Sequence, residues 1–168
     1  TDNRAANLRM TREQFIALIS EEQESLRRFL LALCEGDRME AEDIAQEAMV
    51  KAYIAMERFV ERAKFATWLF KIAYNTFLDH QRSGWNRRTD LDAAEQMPGG
   101  PRADDAFQYQ ELYEAIGTLP LKEKSAILLF YVSGYSVKEI AKITGGSQLA
   151  VKQQLSRGRV KLRQILER

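Results

Sequence analysis

The sequence predicts an all-α protein built as two small helical domains joined by a flexible linker. Three observations lead there. No segment alternates apolar and polar residues as a half-buried strand does, whereas apolar residues recur at helical spacing through most of the chain. Capping signals punctuate that pattern, with Thr11 ahead of Gln14 and Ser136 ahead of Glu139. Finally, the stretch from Ser83 to about Asp105, SGWNRRTDLDAAEQMPGGPRADD, carries glycine, proline and charge with little apolar periodicity, as a linker does. The expected boundaries are 8–84, 85–105 and 106–168, and a tether of some 20 residues would let the halves work without touching.

Thr11 and Gln14 start a helix that continues through Phe15, Leu18, Ile19, Leu26, Phe29, Leu30 and Leu33 and stops at Gly36. After the Gly36-Asp37 turn, a second helix is expected from about Glu40 to Arg58. Ile44, Ala48, Val50, Ala52, Tyr53 and Met56 form its apolar side. Glu40, Glu42 and Asp43 suit the positive end of the helix dipole, which accounts for them but not for Gln46 and Glu47. The segment FVERAKFA, from Phe59 to Ala66, has no clear period. Thr67 then caps a third helix, Trp68 to about Arg82, with Trp68, Leu69, Ile72, Ala73, Phe77 and Leu78 on one side. Its aromatics stand among basic and amide groups. Most of Phe59, Phe65, Trp68, Phe70, Tyr74 and Phe77 read as core, but an aromatic face beside positive charge is also how single strands are gripped.

Beyond the linker, Asp104 or Asp105 caps a helix through Phe107, Leu112 and Ile116. Leu119-Pro120 breaks it, and another helix carries Ile127, Leu128, Phe130 and Tyr131. Then comes the most informative stretch, SVKEIAKITGGSQLAVKQQLSRGRVKLR, Ser136 to Arg163. Ser136 and Glu139 make a capping box, Thr144-Gly145-Gly146 ends a short helix, and Ser147 caps a second. In the second helix Leu149, Val151, Leu155, Val160 and Leu162 fall near a packing side, leaving Lys152, Gln153, Ser156, Arg157 and Arg159 outside. No acidic residue occurs from Lys152 to Arg163, although the chain has 25 basic and 24 acidic residues. A helix-turn-helix that places Arg, Lys and Gln in a major groove has this form. Spacing alone also admits a plain solvated face.

Composition removes other classes. A hydrophobic fraction of 45% and a net charge of +1 are those of a globular protein, and no apolar run nears the roughly 20 residues of a membrane span. The polar start TDNRAANLRM and the lone Cys34, set among leucines, lead us to expect a cytoplasmic protein with no disulfide. One cysteine and one histidine cannot furnish a usual four-ligand zinc site, so no metal or other cofactor is expected. A nucleophilic Cys34 would need a histidine, and the one histidine, His80, is expected on a basic, solvent-facing segment. No converging acid, base or nucleophile suggests an enzyme.

The chain resembles the group IV, or extracytoplasmic function (ECF), sigma factors of bacterial RNA polymerase over nearly its whole length. Asp43-Ile44-Ala45-Gln46-Glu47, followed by Ala48, Val50 and Tyr53, is similar to the family's region 2.2. Trp68-Leu69-Phe70-Lys71-Ile72-Ala73-Tyr74-Asn75 is similar to the W-L-x-x-I-A-x-N signature of regions 2.3 to 2.4. Leu119-Pro120 through Phe130, then Tyr135 through Arg163, resemble regions 4.1 and 4.2. The resemblance implies an alternative sigma factor that recognises and melts promoters, with Asp43, Gln46, Glu47 and Tyr53 binding the coiled coil of the polymerase's largest subunit. It implies contact with the −10 element through Phe59, Lys64, Trp68, Lys71, Ile72, Asn75, Asp79 and Arg82. It implies −35 contact through Lys152, Gln153, Ser156, Arg157 and Arg159, with Lys161 at or beside phosphate. The β flap and an anti-sigma factor are further implied partners, with no small-molecule substrate and no membrane insertion. Two departures stand out: Leu149-Ala150-Val151-Lys152-Gln153-Gln154 where members often have Gly-Thr-Val-Lys-Ser-Arg, and Val60-Glu61-Arg62-Ala63-Lys64 where the loop usually has glycine and small polar residues. A free-standing helix-turn-helix regulator is the alternative; it would bind duplex without polymerase, and the Asp43 to Glu47 stretch argues against it.

Overall fold

The computed structural model describes residues 9–59, 64–88 and 106–168, and among them every regular element is helical. In chain order these are α1 (Arg12–Leu33), α2 (Arg38–Ala55), a 3-10 turn (Met56–Arg58), α3 (Phe65–Arg88), α4 (Ala106–Gly117), α5 (Leu121–Ile127), a π turn (Leu128–Val132), α6 (Val137–Thr144) and α7 (Gln148–Leu166). The expected linker residues 89–105, the loop residues 60–63 and the expected caps Asp104 and Asp105 lie outside the described residues.

Local chemistry sets the boundaries. Thr11 and Gln14 form the full reciprocal capping box that opens α1. Glu35 and Gly36 then both take positive φ, 55° and 87°, and turn the chain into Asp37, whose side chain accepts from the Glu40 N–H at 3.1 Å. With Asp37 as cap, α2 begins two residues ahead of the expected Glu40. Ser136 accepts from the Glu139 N–H at 3.2 Å, but Glu139 returns its carboxylate to the Ser136 hydroxyl at 3.0 Å and not to the backbone, so the box closes on one side only. Gly145, at φ 77°, ends α6, and Ser147 caps α7.

Helix α3 departs most from expectation. It starts at Phe65 rather than after Thr67, and it continues to Arg88 through the first residues assigned to the linker. Phe65 is buried against Phe15, Phe59 and Trp68, with ring centroids 5.9, 5.8 and 5.7 Å away, and this packing draws Phe65, Ala66 and Thr67 into the helix. Thr67 is therefore buried within the first turn, its hydroxyl without a partner. The fifth expected helix, that of Ile127 to Tyr131, divides into α5 and a π turn, in which the Ser133 N–H reaches back five residues to Leu128 at 3.0 Å.

Helices α1, α2 and α3 pack together, and Ala41, Ala45, Ala48 and Ala52 let α2 lie close to its neighbours. In the second half α5 and α6 pack against α7. A Cβ added at Gly158 of α7 would stand 2.8 Å from Ile127 Cγ1, which shows how near α7 and α5 approach. The two halves also touch, a contact that the tether does not require. α3 packs on α6, Phe70 and Tyr135 meet ring to ring at 5.0 Å, and the Lys124 ammonium bonds Glu35 at 3.1 Å with its side chain only 9% exposed. One apolar core runs through both halves.

Candidate nucleic-acid and protein interfaces

On α2, burial of Ala41, Ile44, Ala45, Ala48 and Ala52 leaves the opposite side to solvent. Asp43, Gln46, Val50, Tyr53 and Ile54 are exposed there, Val50 at 58% and Ile54 at 75%. Val50 and Tyr53 are thus not the core residues the pattern predicts. Tyr53 rests edge-on against Phe15, at 5.6 Å. Ile54 was missed, although its spacing from Asp43, Gln46 and Val50 follows the same helical row. Glu47 turns away from that row towards α3. It lies 2.5 Å from His80 Nε2 and 3.2 Å from Lys51 Nζ. The His80 hydrogen bond lowers the Glu47 carboxyl from its ordinary range, against partial burial and with help from Lys51. His80, expected at the surface as a solvated base, is half-buried in this bond. Glu42 accepts from Arg27 at 3.0 and 3.1 Å and from Gln46 at 3.3 Å, and the Arg27 bond lowers its carboxyl in turn.

On α3 the expected row stays together: Trp68 and Ile72 are half-buried, while Lys71, Asn75, Asp79 and Arg82 are exposed. Phe59 closes one end of it, 5.2 Å from the Trp68 ring. Two members are drawn aside. Asp79 stands 4.0 Å from Lys51, which also donates to Thr76 at 3.3 Å, and Lys64 stands 3.8 Å from Glu139 on α6.

On α7, Val151, Leu155 and Gly158 face inward, and Lys152, Gln153, Ser156, Arg157 and Arg159 are all exposed. Arg159 donates to the Tyr131 hydroxyl at 3.2 Å. Lys161 is held by the buried Glu123 at 2.8 and 3.0 Å, which removes it from the free cationic face. Leu149 and Val160, expected to pack, are 67% and 53% exposed.

Among the described residues no group of His, Cys, Asp and Glu is placed to hold a metal ion, and no helix is long and apolar enough to cross a membrane. Cys34 is buried, and burial, reinforced by Glu40 and Asp37, pushes its thiol up to about 12.

The model of Sigma-70 region 2 matches residues 18–87, and that of Sigma-70, region 4 matches residues 109–162. The ECF RNA polymerase sigma factor SigW of Bacillus subtilis is 34% identical, covering 78% of this chain and 78% of its own length. The chain belongs to the ECF sigma factors. This sigma factor is also 28% identical to the ECF RNA polymerase sigma factor EcfG of Rhodopseudomonas palustris, over 84% of this chain and 79% of that one. Among solved structures, RpoE of Bartonella quintana in complex with the anti-sigma factor NepR is similar at a TM-score of 0.82 and 26% identity, covering 92% of this chain and 98% of that one. CnrH in complex with the cytosolic domain of CnrY shares the fold at a TM-score of 0.72 and 22% identity, over 98% and 94%. As an alternative sigma factor the protein directs transcription initiation.

Proposed function

We propose that the exposed row of α2, Asp43, Gln46, Val50, Tyr53 and Ile54, binds the coiled coil of the largest polymerase subunit, with Glu47 bracing α2 against α3. The α3 row opens the −10 element. A duplex resists opening by a few kcal/mol per flipped base, so the protein must hold the base it takes out. Phe59 and Trp68 offer aromatic faces, Ile72 an apolar floor and Asn75 hydrogen bonds, while Lys64, Lys71 and Arg82 attract phosphate and Asp79 orients Lys51 beside them. Helix α7 enters the major groove of the −35 element, where Lys152, Gln153, Ser156 and Arg157 reach base edges and Arg159 the backbone. The second half meets the β flap as well. The protein works in the cytoplasm, performs no bond chemistry of its own, and is restrained by an anti-sigma factor.

What carries this reading is the pairing, on one chain, of an acid-free duplex-reading face on α7 with an aromatic-edged face on α3. A regulator confined to intact duplex needs only the first. Asn75→Ala tests the second: with core polymerase, transcription from a duplex promoter should fall about tenfold, as expected for the loss of about 1.4 kcal/mol of hydrogen bonding. Transcription from the same promoter pre-melted at −10 should fall much less, and equal losses would contradict the assignment.

A further inference from the structure

Leu149 is a large apolar side chain that the fold leaves unused. At about 100° per residue it points roughly 160° away from the inward-facing Val151, and it lies within about 60° of Lys152, Gln153 and Ser156. Its 67% exposure agrees with that direction. An exposed leucine standing among base-reading groups has one apolar feature to meet in a major groove, the C5-methyl of thymine. Val160 shares the row and is also exposed, but it stands 11 residues further on, about 16 Å along the axis. Only the first turns of a recognition helix reach base edges. Ser147, whose side chain accepts from the Ala150 N–H at 3.0 Å, fixes the start of α7 immediately ahead of Leu149.

We propose that Leu149 is a specificity-determining residue that selects a thymine in the −35 element by packing on its methyl group. Leu149 and Gln153 are about 6 Å apart along the helix, which is one or two base-pair steps of about 3.4 Å. The selected thymine therefore lies within two steps of the base read by Gln153, for which adenine is the bidentate partner. The departure from the glycine that family members often carry here then has a purpose: a glycine offers nothing to a methyl group, and leucine does.

The inference rests on the −35 reading of α7, and the experiment separates the two. A −35 element is selected from a randomised promoter library by holoenzyme formed with the full-length chain. Each thymine is then replaced singly by 2′-deoxyuridine, which lacks only the methyl. With the wild-type chain, one replacement should weaken holoenzyme binding about fourfold, equivalent to about 0.8 kcal/mol. With Leu149→Ala the unmodified promoter should bind about fourfold more weakly, and that same replacement should cost nothing further. Leu149→Asn should lose the thymine preference when selection is repeated. Because the side chain is exposed, thermal unfolding of both variants should match wild type. If no thymine shows an effect that vanishes in Leu149→Ala, the methyl contact is wrong while the −35 reading stands. If promoter selection is insensitive to every substitution on the α7 face, both fall. A Leu149→Ala chain that binds every promoter normally marks the leucine as a contact for a protein, and overturns the inference.

Discussion

Gly158 shows how one residue holds the second half together. A methyl group there would meet Ile127 Cγ1 at 2.8 Å and Cδ1 at 3.1 Å, and Ile127 is buried, only 1% exposed. Gly158→Ala gains about 1 kcal/mol of helix propensity and, against two atoms of a buried isoleucine, incurs overpacking in the upper part of the usual range, about 2–3 kcal/mol, so a net loss of about 1–2 kcal/mol is expected. Urea unfolding of the variant would measure it, and an unchanged or increased stability would show that α7 and α5 do not approach this closely. Nothing in the sequence distinguishes this glycine from a surface one. The caps at Thr11, Ser136 and Ser147 were legible, because each acts on a backbone donor three positions away, whereas the cap expected at Thr67 fell inside α3 and Asp37 was not read as one. Lys161 was not legible, since its partner Glu123 is distant in sequence and brought near only by the fold.

At the scale of the element, α2 and α7 were read correctly as helices and partly wrongly as faces. Val50, Tyr53, Leu149 and Val160 were counted as apolar packing positions, yet each is exposed. The reason is geometric: small alanines already supply the α2 interface, and Val151, Leu155 and Gly158 supply that of α7, so further apolar residues on neighbouring rows have nothing to cover them. Such residues are informative about partners because burial in the free chain does not account for them. For α2 the prediction is a double variant, Asp43→Ala with Gln46→Ala. It should leave the helix content and thermal midpoint unchanged and weaken binding to core polymerase about tenfold. Glu47 is the poorer choice for this test because its removal also breaks the bonds to His80 and Lys51 that join α2 to α3. Unaltered polymerase affinity in the double variant would move the docking surface elsewhere.

For the whole molecule, the contact between halves was the least legible feature. Phe70 and Tyr135, or Glu35 and Lys124, have no local signal that links them. The seam has a consequence for the mechanism. Elements at −10 and −35 lie about 25 base pairs apart, about 85 Å at 3.4 Å per pair, whereas a compact chain of this length has a radius of gyration of about 15 Å. The Phe70–Tyr135 seam must therefore part when both elements are engaged. Paramagnetic labels on the exposed Ser20 and Gln164 should report a separation that grows by some tens of ångströms, on the order of the difference between those lengths, when polymerase and promoter are added. A separation that stays constant would mean that the two halves never engage both elements at once.

The most direct measurement is run-off transcription by purified core polymerase on a promoter library, with and without this chain. The account predicts defined start sites that appear only when the chain is present, and that fade when Asn75 or Arg157 is replaced by alanine. Transcription that is no more specific with the chain than without it would contradict the account.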